Sequence, residues 1–288
     1  MTWEPHTVTT VEHLDPGPVA ALAALFDDGL PAPAPGDPLP PLWHWVALPR
    51  WSPSSQLSVD GHPFRGSFLP PVELPRRMFA GGSVEFGGTL RVGDEIRREA
   101  TVESVTEKDG RSGKLVVVVT STTLFAPDGS PGVVEKQNII YREAAAPGDG
   151  PKADPGPASK ATPVGPPIVA SGVDQWDFRT DPTLLMRFSA ATANAHRIHY
   201  DWPYATGVEG YPGLVVHGPL MTLALAQTHR LAGDAPLASL AHRNAAPLFC
   251  GQSATLRSRA TETGKTVELF GPRGIDGGAG TVLELTPR

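Results

Sequence analysis

Proline restricts this chain more than any other residue. It occurs 32 times in 288 residues, alongside 31 glycines, a combined density roughly twice the average for soluble proteins. Proline inside a helix removes a hydrogen bond and clashes with the preceding turn, so this density excludes a long helical bundle or coiled coil. The prolines are also clustered. From Ala144 to Pro167 the chain reads AAAPGDGPKADPGPASKATPVGPP, with no aromatic residue and Val164 as its one bulky aliphatic. Such a stretch buries too little apolar surface to offset its ordering entropy. It reads as a linker, partly in polyproline II, between segments 1–143 and 168–288. A second cluster, Pro31 to Pro41, connects a helix to the next element of the first segment.

Between the clusters the patterning is that of a globular α+β protein. Val19 to Phe26 predicts a short amphipathic helix. Thr89 to Val105, Lys114 to Phe125 and Val133 to Arg142 are rich in Val, Ile and Thr and predict a meander. Lys108-Asp109-Gly110 and Pro127-Asp128-Gly129 are its turns. Turn residues throughout 51–82 predict a long functional loop. In the second segment Thr183 to Ala190 alternates in the manner of a strand, with Leu184, Met186 and Phe188 on one side. Ser189 is placed to cap a short helix over 190–195. A mostly apolar helix is expected over 219–231, stopped by Gly233, then strands at 237–243, 252–262, 265–271 and 280–286. One apolar helix followed by an antiparallel sheet suggests a sheet wrapped around that helix. No sequence repeat links the two segments.

Charge and cysteine content narrow the function. With 24 Lys and Arg against 30 Asp and Glu, the net charge is −6, which argues against a general nucleic-acid binder. The single Cys250 rules out an internal disulfide or a multi-cysteine zinc site. There is no basic n-region with an apolar h-region at the start, and no apolar run of membrane-spanning length. The expectation is a cytoplasmic protein without nucleic-acid or membrane partners.

Histidine marks where chemistry can sit. His196 and His199 fall within Asn194-Ala195-His196-Arg197-Ile198-His199-Tyr200-Asp201, and His217 opens the apolar helix. A positioned histidine takes and gives a proton near neutral pH. An asparagine orients water, and a helix-start N–H such as that of Gly218 polarises a carbonyl oxygen. Base, water-holder and oxyanion donor together suit addition of water to an activated double bond. The plainer reading of each histidine is a structural one. A His196, His199 and Asp201 metal triad is weighed against by the adjacent Arg197, so no metal is expected.

The segment from Phe188 to Asp201, followed by Tyr211-Pro212-Gly213-Leu214-Val215-Val216-His217-Gly218-Pro219-Leu220, resembles the MaoC-like hotdog hydratases, in the branch of mesaconyl-CoA hydratases and 3-hydroxyacyl-thioester dehydratases. Asp60-Gly61-His62-Pro63, Gly66 to Pro71 and Leu74 to Gly82 resemble the N-terminal half of that branch. The resemblance implies a double hotdog: two sheets, each wrapped round a central helix, packed as a pseudo-dimer. It implies a non-catalytic domain 1–143 that grips substrate, the linker 144–167, and a catalytic domain 168–288.

In the broader family a G-D-x-N-P-x-H motif holds the catalytic water. Its Asp position falls here on Asn194 and its His position on His199, which leaves His199 as the sole acid/base, with Asp201 second in line. Gly218 N–H is the implied oxyanion donor. Arg76, Arg77, Tyr211, Gly213, His217 and Arg243 are the expected substrate-binding residues, the arginines for CoA phosphates or a substrate carboxylate. The expected activity is that of a hydro-lyase on an enoyl-CoA or 3-hydroxyacyl thioester, with a mesaconyl- or itaconyl-type C5 dicarboxylyl-CoA foremost. No cofactor is implied, because the CoA thioester is the substrate, and there is room for a homodimer. Alternatives are a dehydratase of carrier-bound thioesters, a hotdog thioesterase, or a non-catalytic acyl-thioester binding subunit.

Overall fold

In the computed structural model the chain is described over residues 3–110, 113–143, 165–233 and 235–288. Most of the expected linker, 144–164, lies outside these residues. The first part contains β1 (Val8–His13), α1 (Pro16–Phe26), a single-turn α2 (His44–Ala47), β2 (Arg76–Phe86), β3 (Glu95–Gly110), β4 (Gly113–Phe125) and β5 (Pro131–Arg142). The second contains β6 (Ile168–Gly172), β7 (Gln175–Phe178), α3 (Pro182–Ala191), α4 (Trp202–Gly207), α5 (Gly218–Leu231), β8 (Leu237–Asn244), β9 (Ala254–Thr261), β10 (Gly264–Phe270) and β11 (Ala279–Pro287).

The eleven strands of the described residues form one sheet, in the order β1-β3-β4-β5-β2-β8-β11-β10-β9-β7-β6, with every pairing antiparallel. Read outward from the β2–β8 seam, the order is the same on both sides. β2, β5, β4, β3 and β1 match β8, β11, β10, β9 and β7. The duplication that no sequence repeat revealed is thus carried by topology, and the fold is the expected α+β double hotdog. At the seam Gly81 pairs with Arg243, Gly82 with His242, and Glu85 with Ser239.

The two halves differ in their helices. α5 is 14 residues long, buried on every side from Leu220 to His229, as a helix enclosed by its sheet must be. Its counterpart α2 is one turn of four residues. The space this leaves on the first-half sheet is covered by the segment between α2 and β2. Phe68, Leu69, Val72 and Leu74 pack on a separate core of Val102, Val116, Val118, Ile139 and Tyr141. Arg65 pins that segment by donating to the carbonyls of Val72 (2.6 Å), Leu74 (2.7 Å) and Pro75 (3.0 Å). Among the described residues no helix is long and apolar enough to cross a membrane.

Three expectations need correction. Thr183 to Ala190 is helical: Asp181 caps α3 by accepting from Leu184 N at 2.9 Å, with Pro182 at the first helical position. Leu184, Leu185, Phe188 and Ser189 are its buried residues, while Met186 is 52 % exposed. Ser189 therefore lies inside α3 and does not cap a helix over 190–195. The expected 51–82 loop ends at Pro75, because 76–82 begins strand β2 and Arg76 and Arg77 lie on that strand. Finally, β3 runs on through the expected turn Lys108-Asp109-Gly110, and the tip at 111–112 lies outside the described residues.

Candidate active site

A cavity of about 780 Å³ opens at the crease between the halves, in the groove left by the short α2. Its second-half wall is made by the turn after α3 and the start of α5. Ala193 at φ 52° turns the chain there. Asn194 Oδ1 then accepts from His196 N at 3.0 Å, as short polar side chains do in tight turns. His199 Nδ1 lies 2.7 Å from the Val215 carbonyl oxygen. A carbonyl only accepts, so Nδ1 carries the proton and the neutral ring keeps Nε2 as an acceptor. Burial drives the His199 pKa down to about 4, against the carbonyl's opposing pull. The ring is therefore a neutral base at ordinary pH. Asn194, His196, His199 and Gly218 all line the cavity. Gly218 opens α5, so its N–H is among those the helix itself leaves unsatisfied.

Behind this wall stands His217. It is fully buried, its ring stacks on His199 at 3.6 Å, and its Nε2 is 2.8 Å from Ser189 Oγ. It does not line the cavity and supports His199 from the rear. Tyr211 does line the cavity, with the Arg76 guanidinium 4.8 Å above its ring. Gly213 faces away, its Cβ position 3.2 Å from the Trp202 ring. Arg243 is exposed and follows the buried His242 on β8, so strand alternation turns it to the opposite face. Asp201 is engaged elsewhere. Its Oδ2 accepts from Arg197 at 2.7 and 2.8 Å, and Oδ1 caps α4 through Tyr204 N at 3.2 Å. Gly213, His217 and Arg243, expected at the substrate, thus stand outside the cavity lining, and Asp201, the expected reserve base, is committed to Arg197 and α4.

The first half brings two groups that sequence reasoning quoted as motif but did not assign. The Asp60-Gly61-His62 turn docks on Ala195 and His196. Arg197 N donates to the Asp60 carbonyl at 2.9 Å, and Arg197 Nη1 to that of Val59 at 3.1 Å. His62 Nδ1 donates to Asp60 Oδ2 at 3.0 Å, and the His62 ring is 4.2 Å from that of His196. Burial pushes the Asp60 carboxyl up, but hydrogen bonds from His62 and Ser58 outweigh it and hold the group well below the carboxylate range. Burial, then the charge of Arg77, lowers His62; burial with neighbouring His62 and His199 takes His196 to about 2.

Asp60, His62 and His196 offer ligand atoms within 4.8 Å of one another. A metal-like grouping thus exists, though not the His196, His199 and Asp201 one, and the Arg77 charge beside it opposes a cation. Deeper in the first half Glu135, 4 % exposed, accepts from Trp45 Nε1 (2.6 Å) and Gln137 Nε2 (2.9 Å), with His44 Nε2 at 3.3 Å. No local sequence signal marked that cluster.

Fold and site together define a double-hotdog protein whose cavity carries a helix-start N–H and a neutral histidine base on one wall. The sequence profile of the hydroxyacyl-thioester dehydratase type 2 family matches residues 42–250. A mesaconyl-C(4)-CoA hydratase from Chloroflexus aurantiacus is 42% identical over 285 residues, 98% of this chain and 96% of that one. Among solved structures, a MaoC-like dehydratase superposes with a TM-score of 0.70 at 14% identity, covering 99% of this chain and 98% of that one. A Mycobacterium tuberculosis protein described as a double hotdog gives 0.55 at 15% identity, covering 99% and 95%. These two structures bear on the fold alone. The chain belongs to the hydroxyacyl-thioester dehydratase type 2 family, and it is a hydro-lyase of acyl thioesters.

Proposed function

We propose that the protein hydrates an enoyl-CoA, or runs the reverse dehydration, at the wall formed by Asn194, His199 and Gly218. The observation that carries this reading is the His199 Nδ1–Val215 contact, which fixes Nε2 as an acceptor on the cavity that Gly218 also lines. The thioester oxygen accepts from Gly218 N–H, so enolate charge is stabilised as it forms. Water held between the Asn194 amide and His199 Nε2 attacks the β-carbon. His199 takes the water proton and returns it to the α-carbon. Asn194 cannot itself titrate, so one histidine serves both transfers.

In this reading the second half carries the chemistry and the first half grips the acyl group. The substrate is a C5 dicarboxylyl-CoA of the mesaconyl kind, as the name of the Chloroflexus relative suggests. Because β2 and β8 already pair within one chain, any homodimer forms through other surfaces.

Loss of enoyl absorbance and mass gain of one water, measured over crotonyl-, mesaconyl- and itaconyl-CoA, test the activity. His199→Ala should lower kcat by about 10²–10⁴-fold with unchanged circular dichroism. Turnover within a few-fold of wild type would remove His199 from the mechanism, and release of free thiol would replace hydration with thioester hydrolysis.

A further inference from the structure

Six arginines reach the cavity wall: Arg50, Arg65, Arg76, Arg77, Arg98 and Arg142. Five are committed to the protein itself. Arg50 and Arg98 share Glu12, at 2.8 and 3.6 Å. Arg65 holds three carbonyls, and Arg76 pairs with Glu209 at 3.3 Å. Arg142 is engaged as well. Of these six, Arg77 is the one with no ion pair and no side-chain hydrogen bond to any described residue. The groups whose charge favours its protonated form are Tyr141 first and then Asp60, and the Asp60 oxygens already accept from His62 and Ser58.

We propose that Arg77 is the receptor for a carboxylate carried on the substrate's β-carbon, and that this contact makes the enzyme prefer a dicarboxylyl thioester to a plain enoyl one. The inference rests on the hydration reading above. In a thioester such as mesaconyl-C4-CoA the free carboxylate hangs on the carbon that water attacks. Its receptor must therefore flank the water site and not the CoA entrance.

Arg77 is placed there. Its charge is felt at both His62 and His196. Two residues along β2, Phe79 packs on Gly218, where an added Cβ would lie 3.1 Å from the ring. Side chains at i and i+2 of a strand share a face, roughly 7 Å apart. Directly opposite Arg77 in the β2–β5 ladder, Tyr141 keeps a buried hydroxyl without a partner. Burial already pulls the Arg77 pKa below the ordinary guanidinium value. A half-buried cation without an ion-pair partner is costly to hold, so the free protein is poised for an anion. An acyl group lacking the carboxylate leaves that cost in place.

The test compares wild type, Arg77→Gln, Arg77→Lys and Arg76→Gln on mesaconyl-C4-CoA and crotonyl-CoA. Inhibition by succinyl-CoA and butyryl-CoA, which lack the double bond, is measured in parallel. Wild type should favour the dicarboxylyl substrate. Arg77→Gln should lower that kcat/KM ratio by about 30- to 1000-fold, chiefly through KM, and should erase the advantage of succinyl- over butyryl-CoA. Arg77→Lys should recover part of the ratio, and Arg76→Gln should move it less than Arg77→Gln. An unchanged ratio, or equal losses on both substrates, overturns the assignment. If wild type hydrates crotonyl-CoA without preferring the diacid, the receptor falls while the hydratase reading stands. If it hydrates neither, yet succinyl-CoA binds in an Arg77-dependent way, the reading falls and the receptor stands.

Discussion

At two buried histidines, activity and stability make opposite demands on pH. Both His199 and His242 have pKa values pulled down by burial to about 4. The base form of His199 therefore persists far into the acid range. The acid limb of kcat/KM, which reports the free enzyme, should fall near pH 4 and not near 6.5; a midpoint at 6.5 would mean a solvated base. Stability runs against this. The unfolded chain binds a proton at each of these rings near pH 6.5, whereas the folded state resists until about pH 4. Stability is thus lost as pH falls through that window and levels off below it. His242 shows the cost plainly, because both of its ring nitrogens are buried without partners while it stacks on Phe79 at 5.3 Å. Replacing it with leucine should remove about 3 kcal/mol of acid-dependent destabilisation. Thermal melts of His242→Leu should be flatter than wild type between pH 6.5 and 4.5, and parallel curves would reject this account.

Elements carry the site as much as residues do, and the turn at Gly61 shows how. At φ 92° it adopts a conformation that L-residues avoid, and an added Cβ would overlap the Ala195 carbonyl oxygen. Gly66 has nearly the same φ, 93°, but its Cβ position meets only Pro71 at 3.5 Å. Gly66→Ala should cost backbone strain alone, on the order of 1 kcal/mol. Gly61→Ala should cost clearly more and lower kcat with it, because it lifts the Asp60–His62 turn from His196. Equal melting shifts and equal rates for the two variants would mean the docking is dispensable. That contact joins residues 61 and 195, so no local pattern announced it, although the Asp60-Gly61-His62-Pro63 motif was visible. The strands at 114–125, 133–142 and 237–286 and the α5 helix were legible because burial imposes period and length on them. α3 was misread because Leu184, Met186 and Phe188 alternate as in a strand while Leu184, Leu185 and Phe188 share a helix face, and the Asp181-Pro182 start was the deciding sign. β2 was missed because Gly81 and Gly82, at the seam, carry no strand propensity. The face Arg243 takes was not legible, because the register of β8 is set by its pairing with β2 and β11.

Across the whole molecule the two halves share one core. Leu14, Phe26 and Trp43 of the first half belong to the same buried cluster as Leu225, Leu256 and Leu283 of the second. Polar ties cross as well: Gln227 donates to Asp28 at 2.6 Å, Arg230 to the Pro31 carbonyl at 2.8 Å, and Arg187 to the Ala24 carbonyl at 3.2 Å. The β2–β8 ladder makes the sheet continuous, and the cavity takes walls from both sides. A cavity split in this way can serve as an active site only if its two walls hold their places together, which a shared core enforces. A lesion confined to one half should therefore be felt equally in the other. Leu225→Ala, fully buried in α5, should cost about 2–5 kcal/mol. Hydrogen exchange should then show the slowest amides of β4, in the first half, losing the same protection free energy as those of β10, in the second. If β4 kept its protection while β10 lost it, the halves would be separate cooperative units, and the mutual rigidity of the two cavity walls would be absent.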